Sequence, residues 1–327
     1  MSRQKVVIVS TGGTIAFKYD PARKGAFPGM TGAELVEAVP SLADVCPVET
    51  IEFANMPSPH MTPSLMFKLA QVLDELLSRE DAAGAVVTHG TDTLEETAYL
   101  LDLTLNTTKP VCLTAAMRSG TSVSPDGPRN ILCAVKTAAS PRASGTGVLV
   151  VMNEEIHAAR EVTKTHTANV KSFTSPFWGP LGCVDEDKVI FRRQPLHSQK
   201  IRPEKLVEEV YLVKLTAGSD DLLLKCLVQN QAKGIVLEGL GRGNVPPAVV
   251  PGIKLALEKS IPVVLTTRSA GGRVLDVYGY EGGARHLKEM GVILAGEISG
   301  PKARLKLMLL LGLTKNSLEI SKYFGLP

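Results

Sequence analysis

The chain has 327 residues, enough to bury one large core or two ordinary ones, which excludes a peptide or a disulfide-stapled miniprotein. Its hydrophobic fraction of 44% and charged fraction of 21% are close to globular averages and exclude disorder, collagen and coiled coils. The 36 Lys and Arg against 33 Asp and Glu leave a formal charge of +3, which predicts neither a nucleic-acid nor a membrane partner. A small-molecule substrate is therefore expected.

We expect no export signal in the amino-terminal residues. The apolar run near Met1 is shorter than the core of a signal peptide, and no later stretch approaches the roughly 18 apolar residues of a spanning helix. These observations predict a cytoplasmic protein. The five cysteines are scattered and form no Cys-x-x-Cys pair, so we expect neither a disulfide framework nor a zinc site.

Short apolar runs rich in Val and Ile alternate along the chain with segments of helical periodicity. Continuous apolar runs are typical of strands that are covered on both faces. The runs that predict strands are Val6–Val9, Ala85–Val87, Pro110–Leu113, Gly147–Met152, Val210–Lys214, Gly234–Leu237 and Ile261–Leu265. The segments that predict helices are Thr62–Leu77, Leu94–Thr104, Pro247–Lys259 and Lys302–Leu313. Strand alternating with helix predicts an α/β protein with a mainly parallel sheet.

Two irregular stretches interrupt this alternation. The polar, basic stretch from Asp185 to Pro203 predicts a connection between two α/β domains. We expect a larger N-terminal domain over residues 1–190, a linker over 191–208 and a smaller parallel-sheet domain over 209–327; a long surface loop inside one domain is the alternative. The other stretch, Phe17 to Met30, directly follows the first strand and turn. Its position at the carboxyl end of a strand favours a functional lid rather than a disordered segment.

The residues that follow the predicted strands are the candidate site, because ligands of open parallel sheets bind beyond the carboxyl ends of the strands. After the first strand comes Ser10-Thr-Gly-Gly-Thr-Ile-Ala16. Its glycines allow a tight turn and close approach of backbone N–H groups, and Thr11 and Thr14 supply hydroxyls. The motif matches neither the dinucleotide nor the P-loop pattern, which disfavours a nucleotide, and a plain turn is the alternative interpretation.

A second polar motif, Thr88-His-Gly-Thr-Asp-Thr-Leu-Glu-Glu-Thr97, follows the predicted strand Ala85–Val87. Asp92 with Glu95 three residues later predicts a capping box at the start of the next helix. That interpretation does not explain Thr91. A hydroxyl beside a carboxylate at a strand end also suits binding of the ammonium group of an amino acid, so both interpretations stay open.

A third motif, Arg160-Glu-Val-Thr-Lys-Thr-His166, places Lys164 between two threonines. A lysine is normally a solvated surface charge, but if Lys164 faces Thr91 it becomes a candidate general base. Threonine hydroxyls, a carboxylate, a lysine and a glycine-rich turn are together the parts that amide hydrolysis needs. His89 and His166 lack metal-ligand spacing and are expected to be structural.

The motifs occur in the order found in bacterial-type L-asparaginases, which the chain resembles over nearly its whole length. The resemblance implies a two-domain α/β hydrolase that converts L-asparagine to L-aspartate and ammonia without a cofactor. By position, Thr14 resembles the family's primary nucleophile. Thr91, Asp92 and Lys164 resemble the second threonine, the carboxylate and the lysine of the family's active site. Further motifs that carry the resemblance are Ala116-Met-Arg118, Asp126-Gly-Pro128, Gly179-Pro-Leu-Gly182, Gly239-Leu-Gly-Arg-Gly-Asn244 and Pro301-Lys-Ala-Arg304.

The resemblance also implies a set of substrate-binding residues. Ser58 resembles the serine that binds the α-carboxylate, and Asp92 is expected to hold the α-amino group. Asn244 resembles a residue that reaches the site from a neighbouring subunit, so a homotetramer of two intimate dimers is implied, with each site complete only in the oligomer. The implied substrate-binding residues are Gly13, Ser58, Pro59, Gly90, Thr91, Asp92, Ala116 and Asn244.

Two departures from the family pattern concern selectivity. Ser58-Pro-His-Met61 stands where many relatives have Ser-Gln-Asp-Met, and Pro59 offers neither a side-chain amide nor a backbone N–H. In the lid, relatives carry a tyrosine where this chain has Gly25-Ala-Phe-Pro28. Phe27 has no hydroxyl, and Tyr19, in a different register, is the candidate to replace the missing tyrosine.

We therefore expect hydrolysis of asparagine by attack of Thr14, giving an acyl-enzyme, with direct attack by water beside Thr91 and Lys164 as the alternative mechanism. A related amidase acting on glutamine or a D-amide is one alternative function. A non-catalytic amino-acid sensor is another. A subunit of a tRNA-dependent amidotransferase is a third, and the absence of a basic bias weighs against it.

Overall fold

The computed structural model describes residues 4–22, 24–195 and 199–325, and it divides the chain into two compact units, Met1–Lys200 and Ile201–Pro327. The domain limits expected from the sequence, 1–190 and 209–327 with a linker over 191–208, stay predictions. Within those ranges, residues 1–3, 23, 196–198, 326 and 327 lie outside the described residues.

The first unit combines one large sheet with helices on both of its faces. Its strands are β1 (Lys5–Gly12), β2 (Phe17–Asp20), β3 (Gly25–Pro28), β4 (Val48–Met56), β5 (Ala82–Thr88), β6 (Val111–Thr114), β7 (Val148–Met152), β8 (Glu155–Ala158), β9 (Thr163–Lys164), β10 (Phe173–Thr174), β11 (Gly182–Asp185) and β12 (Lys188–Phe191). Its helices are α1 (Gly32–Glu37), α2 (Leu42–Val45), α3 (Pro63–Ser78), α4 (Leu94–Thr104) and α5 (Gly127–Ala139), with 3-10 helices over Thr14–Ala16, Ser58–His60 and Pro141–Ala143.

The eight strands of the large sheet lie in the order β12-β11-β8-β7-β6-β5-β1-β4. Strands β4, β1, β5, β6 and β7 are parallel, and β8, β11 and β12 add an antiparallel edge. Side chains alternate between two cores: Val6 and Ile8 of β1 pack with α1 and α5, whereas Val7 and Val9 pack with α3 and α4. This confirms the predicted α/β class and the mainly parallel sheet.

The stretch expected to be an irregular lid folds as a β-hairpin. Strands β2 and β3 pair antiparallel, with Phe17 opposite Pro28 and Lys18 opposite Phe27. Likewise, the stretch expected to connect two domains begins with the antiparallel pair β11 and β12, which reaches Phe191.

The second unit is built on a four-stranded parallel sheet in the order β13-β14-β15-β16. Its strands are β13 (Val210–Lys214), β14 (Gly234–Gly239), β15 (Val263–Thr267) and β16 (Ile293–Leu294), and its helices are α6 (Leu222–Gln229), α7 (Val250–Glu258), α8 (Ala284–Glu289), α9 (Gly300–Leu313) and α10 (Ser317–Gly325). This smaller all-parallel sheet agrees with the predicted C-terminal architecture. Across both units, none of the helices built from described residues is long and apolar enough to cross a bilayer.

Candidate active site

The turn after β1 forms the first wall of the candidate site. Gly12 and Gly13 have φ values of 97° and 84°, which residues with a Cβ rarely adopt. The Gly13 carbonyl accepts a hydrogen bond from the Ala16 N–H at 2.9 Å and so closes the short 3-10 helix. Thr14 opens that helix and is half-buried. The turn therefore holds the Thr14 side chain at the carboxyl end of β1.

Two glycine-rich loops are stacked against each other at this edge of the sheet. A methyl group built on Gly13 would lie 2.3 Å from the Cα of Gly90, and one built on Gly90 would lie 2.7 Å from the Cβ and Oγ of Ser58. Real side chains do not approach so closely, so only glycine fits at both positions. The contact places Thr14 and Thr91, each one residue beyond its glycine, on neighbouring loops.

Lys164 joins the second threonine to a carboxylate. Its Nζ donates to Thr91 Oγ1 at 2.9 Å and to Asp92 Oδ1 at 2.6 Å. Thr91 is only 7% exposed, the Lys164 side chain is 17% exposed, and the Asp92 side chain is 59% exposed. A buried hydroxyl is thus connected through the Lys164 amine to a carboxylate that solvent and ligands can reach. Sequence reasoning proposed the meeting of Lys164 with Thr91, and the structure contains it.

A short pair of strands positions Lys164. Strand β9 pairs with β10, and Lys164 lies opposite Phe173, whose side chain is 2% exposed. The Lys164 backbone N–H donates to Glu95 Oε2 at 2.9 Å. The backbone of Lys164 is therefore tied to α4, the helix that follows Thr91 and Asp92.

The predicted capping box of Asp92 and Glu95 is wrong. Helix α4 begins at Leu94 with Thr93 as its N-cap residue, and the Thr93 hydroxyl donates to the Ser58 carbonyl at 2.8 Å instead of capping the helix. Both carboxylates serve Lys164 instead: Asp92 accepts from its side chain and Glu95 from its backbone N–H. The competing interpretation agrees with the structure: the Thr91 hydroxyl and the Asp92 carboxylate are held together at the end of β5. Sequence spacing alone could not reveal the role of Glu95.

Ser58 contacts the same loop from the other side. It is 5% exposed, and its Oγ accepts a hydrogen bond from the Asp92 N–H at 3.1 Å. Pro59 follows in the first turn of the 3-10 helix and is exposed. The missing N–H of Pro59 costs little in a first turn. The structure thus brings Ser58 beside Asp92 and Gly90, with Pro59 at the rim.

His89 supports the Gly90 loop from within the core. The ring is fully buried, with Nδ1 2.7 Å from the Gly90 carbonyl oxygen and Nε2 3.0 Å from Thr97 Oγ1. Because a carbonyl only accepts, we assign the proton to Nδ1, and Nε2 then accepts the Thr97 hydroxyl. Burial lowers the pKa of His89 to about 4, so the ring is neutral at pH 7. Within the described chain, no three His, Cys, Asp or Glu side chains converge as a metal site would require.

Two polar residues hold the loop after β6, and sequence reasoning did not assign them a site role. The Asp126 carboxylate accepts from the Met117 N–H at 3.0 Å and from the Arg118 N–H at 2.8 Å. Asn130 donates to Asp126 Oδ2 at 3.1 Å and is 2% exposed. They fix the segment that begins with Ala116, itself 1% exposed. The Asp-Gly-Pro sequence at the start of α5 is the signal that pointed to this loop.

The two lid residues lie on the exposed hairpin. Tyr19 is 54% exposed and Phe27 is 36% exposed. The base of the hairpin is fixed because the N–H groups of Gly29 and Met30 both donate to the Ala16 carbonyl at 3.0 Å. The hairpin is therefore attached directly to the 3-10 helix that begins at Thr14, and the lid role of both rings stays a prediction.

Asn244 belongs to the second unit. It closes a tight turn in which the Leu240 N–H donates to the Asn244 carbonyl at 2.7 Å and the Asn244 N–H donates to the Leu240 carbonyl at 2.9 Å. Its side-chain Oδ1 is buried and has no hydrogen-bond partner among the described residues. Its expected contribution to a neighbouring subunit's site stays a prediction.

Comparisons with known proteins identify the family. Residues 5–197 match the family model "Asparaginase, N-terminal", and residues 209–324 match the "Glutaminase/Asparaginase C-terminal domain". The chain is 40% identical over 327 residues to a probable L-asparaginase of Deinococcus radiodurans, covering 99% of this chain and 98% of that protein. It is 37% identical over 316 residues to an L-asparaginase of Bacillus licheniformis, with 97% and 98% covered.

The fold leads to the same relatives. A crystal structure of a probable cytoplasmic L-asparaginase from Campylobacter jejuni matches with a TM-score of 0.89 at 33% identity, covering 99% of this chain and 100% of that one. The matches confirm the resemblance that the sequence motifs indicated. With both of its domains matched, the chain belongs to the asparaginase family.

Proposed function

We propose that the protein is an L-asparaginase, an amidohydrolase that converts L-asparagine to L-aspartate and ammonia. The observation that carries this proposal is the link from the Thr91 hydroxyl through Lys164 to the Asp92 carboxylate. It lies at the carboxyl edge of the parallel strands, where α/β proteins bind small ligands. Membership of the asparaginase family and the names of its relatives support the same activity.

The groups at this edge match the parts of an amino-acid amide. The exposed Asp92 carboxylate suits the α-ammonium group, and Ser58 Oγ, held at the Asp92 N–H, suits the α-carboxylate. The threonines then face the side-chain amide. Backbone N–H groups of the glycine turns are the proposed donors to the oxyanion. We assign Gly13, Gly90, Ala116 and the rim residue Pro59 to the walls around the substrate.

In the proposed reaction, Thr14 Oγ1 attacks the side-chain carbonyl carbon and its proton passes to the base, Lys164. The C–N bond then breaks, and the leaving nitrogen takes up a proton and departs as ammonia. The resulting β-aspartyl ester is hydrolysed by water, which releases L-aspartate and restores the Thr14 hydroxyl. No cofactor takes part in the proposed steps.

Direct attack by water is the second candidate mechanism, and one contact favours it. Lys164 Nζ is hydrogen-bonded to the Thr91 hydroxyl, so this pair can orient and deprotonate a water that attacks the amide carbon. Ammonia and L-aspartate then form without a covalent ester.

Ammonia release from asparagine by Thr14→Ala and Thr91→Ala tests the function. Each should lower kcat/KM by about a hundredfold or more, as loss of an essential group does. Thr108→Ala removes an exposed hydroxyl that precedes β6, at the opposite edge of the sheet, and serves as the matched control. Undiminished activity in both site variants would reject the assignment, and binding of asparagine without ammonia release by the wild type would indicate a sensor.

Two further measurements separate the remaining alternatives. A β-aspartyl ester trapped on Thr14 and detected by mass spectrometry supports the covalent path, and its absence during steady turnover supports attack by water. Comparison of kcat/KM for L-asparagine, L-glutamine and D-asparagine decides the selectivity that Pro59 leaves open.

The proposal includes a homotetramer in which Asn244 of a neighbouring subunit completes each site. The position of Asn244 within the matched C-terminal domain of the family supports this assignment. Mixing the two inactive variants Thr91→Ala and Asn244→Ala should restore part of the activity, because hybrid oligomers then contain some sites with both residues. Additive residual activities would contradict it. A cytoplasmic location also belongs to the proposal, and cell fractionation tests it.

A further inference from the structure

A cavity of about 230 Å³ lies beside the segment that carries Thr14. Its walls are mostly apolar and come from the 3-10 helix, α1, α5, the hairpin base and the loop between β6 and α5, with Ile15, Leu35 and Ile131 between 2% and 4% exposed. Pockets that bind drug-sized ligands usually measure about 300 to 1,000 Å³, so this cavity suits a smaller molecule.

The charged groups in this cavity are both cations. Lys18 and Arg118 line it, and its lining residues, all within the described chain, include no carboxylate. The Arg118 guanidinium donates to a neutral group, the Ser124 carbonyl, at 3.2 Å. Lys18 pairs with Glu34 at 3.2 Å, but both side chains are nearly half exposed, so that pair is weak and exchangeable. A ligand with one negative charge complements this arrangement.

The cavity also adjoins the base of the hairpin. Lys18 belongs to β2, and Met30 follows β3 and is tied through its N–H to the Ala16 carbonyl. Ile15, the residue after Thr14, forms part of the same wall. An occupant would therefore contact both ends of the hairpin and the backbone that positions Thr14.

We propose that this cavity binds a small monocarboxylate with an apolar body, and that its occupancy alters amide hydrolysis through the hairpin base. The apolar walls exclude a zwitterionic amino acid, so the ligand class differs from the substrate. Binding itself is independent of the proposed function, whereas the effect on the reaction rests on it. The chemistry of the site therefore predicts an effector site separate from the Asp92 carboxylate.

Calorimetric titration with sodium hexanoate tests the binding. L-aspartate is present at saturation so that the candidate active site is occupied. We expect saturable binding of hexanoate and none of acetate, which lacks the apolar body, or of hexylammonium, which carries the opposite charge. Arg118→Gln should weaken hexanoate binding about tenfold, because it removes a hydrogen bond between charged groups. Arg142→Gln, which changes an exposed arginine elsewhere, is the matched control.

A second variant fills the cavity without touching its charges. Among the described residues, a Cβ on Gly120 would have only the Met30 Sδ within 4 Å, at 3.8 Å, which is an ordinary contact. Gly120→Leu should therefore fold and abolish hexanoate binding. The proposal would be overturned if the wild type did not bind hexanoate, or if binding survived both Gly120→Leu and Arg118→Gln. Equal binding of hexylammonium, or displacement of hexanoate by aspartate, would also overturn it.

The kinetic arm measures ammonia release from asparagine with and without saturating hexanoate. We expect the KM for asparagine to change about twofold or more in the wild type and to stay constant in Gly120→Leu. An unchanged KM at saturation would overturn the regulatory half. If the wild type releases no ammonia, the proposed function fails, and the titration still decides whether the cavity binds the carboxylate.

Discussion

Gly13 and Gly90 touch backbone to backbone, so closely that a methyl group on Gly13 would lie 2.3 Å from the Cα of Gly90. The contact occurs because β1 and β5 are parallel neighbours, with Ser10 in register with Thr88. The loops that follow them leave the sheet at the same level. The separation of the Thr14 and Thr91 segments is therefore set by two backbones in contact, with no side chain between them.

Substitution of Gly13 should uncouple these loops. Gly13→Ala adds a methyl group at a φ of 84° and against the backbone of Gly90, so we expect kcat/KM for asparagine to fall about tenfold or more and the thermal midpoint to drop. Gly145→Ala is the control, because Gly145 also has a positive φ, 73°, but no described residue outside its own neighbours lies within 4 Å of the added methyl. It should lose some stability and keep its activity. Equal activity of the two variants would contradict the role of the contact.

The parallel strands were predictable because burial on both faces leaves a continuous apolar run, as in β7, where every residue is buried. Strand β4 escaped prediction. It is an edge strand of the sheet, and its half-buried or exposed residues, including Glu49 and Glu52, interrupt the apolar run. Helix α5 was also missed, because its first residues, Gly127 and Pro128, are typical of a turn, although its apolar residues lie on one face.

The candidate site was predictable where chemistry resides in the residue types of a motif, as with Thr91 and Lys164. The contact between Glu95 and the Lys164 backbone was not predictable. Glu95 has the spacing of a capping box, yet the Lys164 backbone N–H, far away along the chain, competes successfully for its carboxylate. A local rule of helix capping was thus overridden by a tertiary hydrogen bond.

Lys164 should be essential. Lys164→Met removes the donor shared by Thr91 and Asp92 and leaves Thr91 without a base, so kcat should fall about a hundredfold or more. Lys171→Met provides the matched control, because Lys171 lies on the same segment but pairs with Glu155 in an exposed ion pair. Steady-state ammonia release measures both. A Lys171→Met loss as large as that of Lys164→Met would point to damage of the segment rather than loss of a base.

Glu95 acts through Lys164 as a positioning residue. Glu95→Ala removes the acceptor of the Lys164 N–H and should lower kcat about tenfold, whereas Glu95→Gln keeps an acceptor oxygen and should retain most of the activity. Since the lysine itself remains, the KM for asparagine should change less than kcat. A loss in the Gln variant equal to that in the Ala variant would show that the negative charge matters instead of the hydrogen bond.

His89 makes the stability of the first unit depend on pH. Its folded pKa of about 4 lies below the ordinary value of 6.5, so the unfolded chain takes up the proton first as the pH falls. The free energy of unfolding should therefore decrease between pH 6.5 and pH 4, by on the order of 3 kcal/mol from this group. Urea unfolding of the wild type and of His89→Gln should show a flatter pH dependence in the variant. Burial also lowers the pKa of His157, which both proteins retain, so the difference between them isolates His89. Parallel curves would refute this assignment.

The stability of the fold below pH 4.5 should depend on a group of ion pairs at the amino ends of the strands. Arg79 donates to both oxygens of Glu49, at 3.0 and 2.8 Å, and to both oxygens of Asp81, at 3.1 Å each, while Lys5 pairs with the same two carboxylates. The hydrogen bonds from Arg79, with those from Lys5, lower the pKa of Glu49 from 4.5 to about 2 and that of Asp81 from 3.8 to about 2.

Removal of the Arg79 guanidinium should abolish most of the dependence of stability on pH that comes from these ion pairs. Because both folded pKa values lie below the unfolded ones, the ion pairs stabilise the fold above pH 4.5 and lose their contribution as the pH falls towards 2. Arg79→Met should lower the urea midpoint at pH 7 and flatten its decline below pH 4.5, whereas Arg142→Met, at an exposed arginine, should reproduce the wild type. A decline in Arg79→Met as steep as that of the wild type would mean that other carboxylates control acid unfolding. These ion pairs lie at the amino ends of the strands, away from Thr91, so kcat at pH 7 should stay within about twofold of the wild type in both variants.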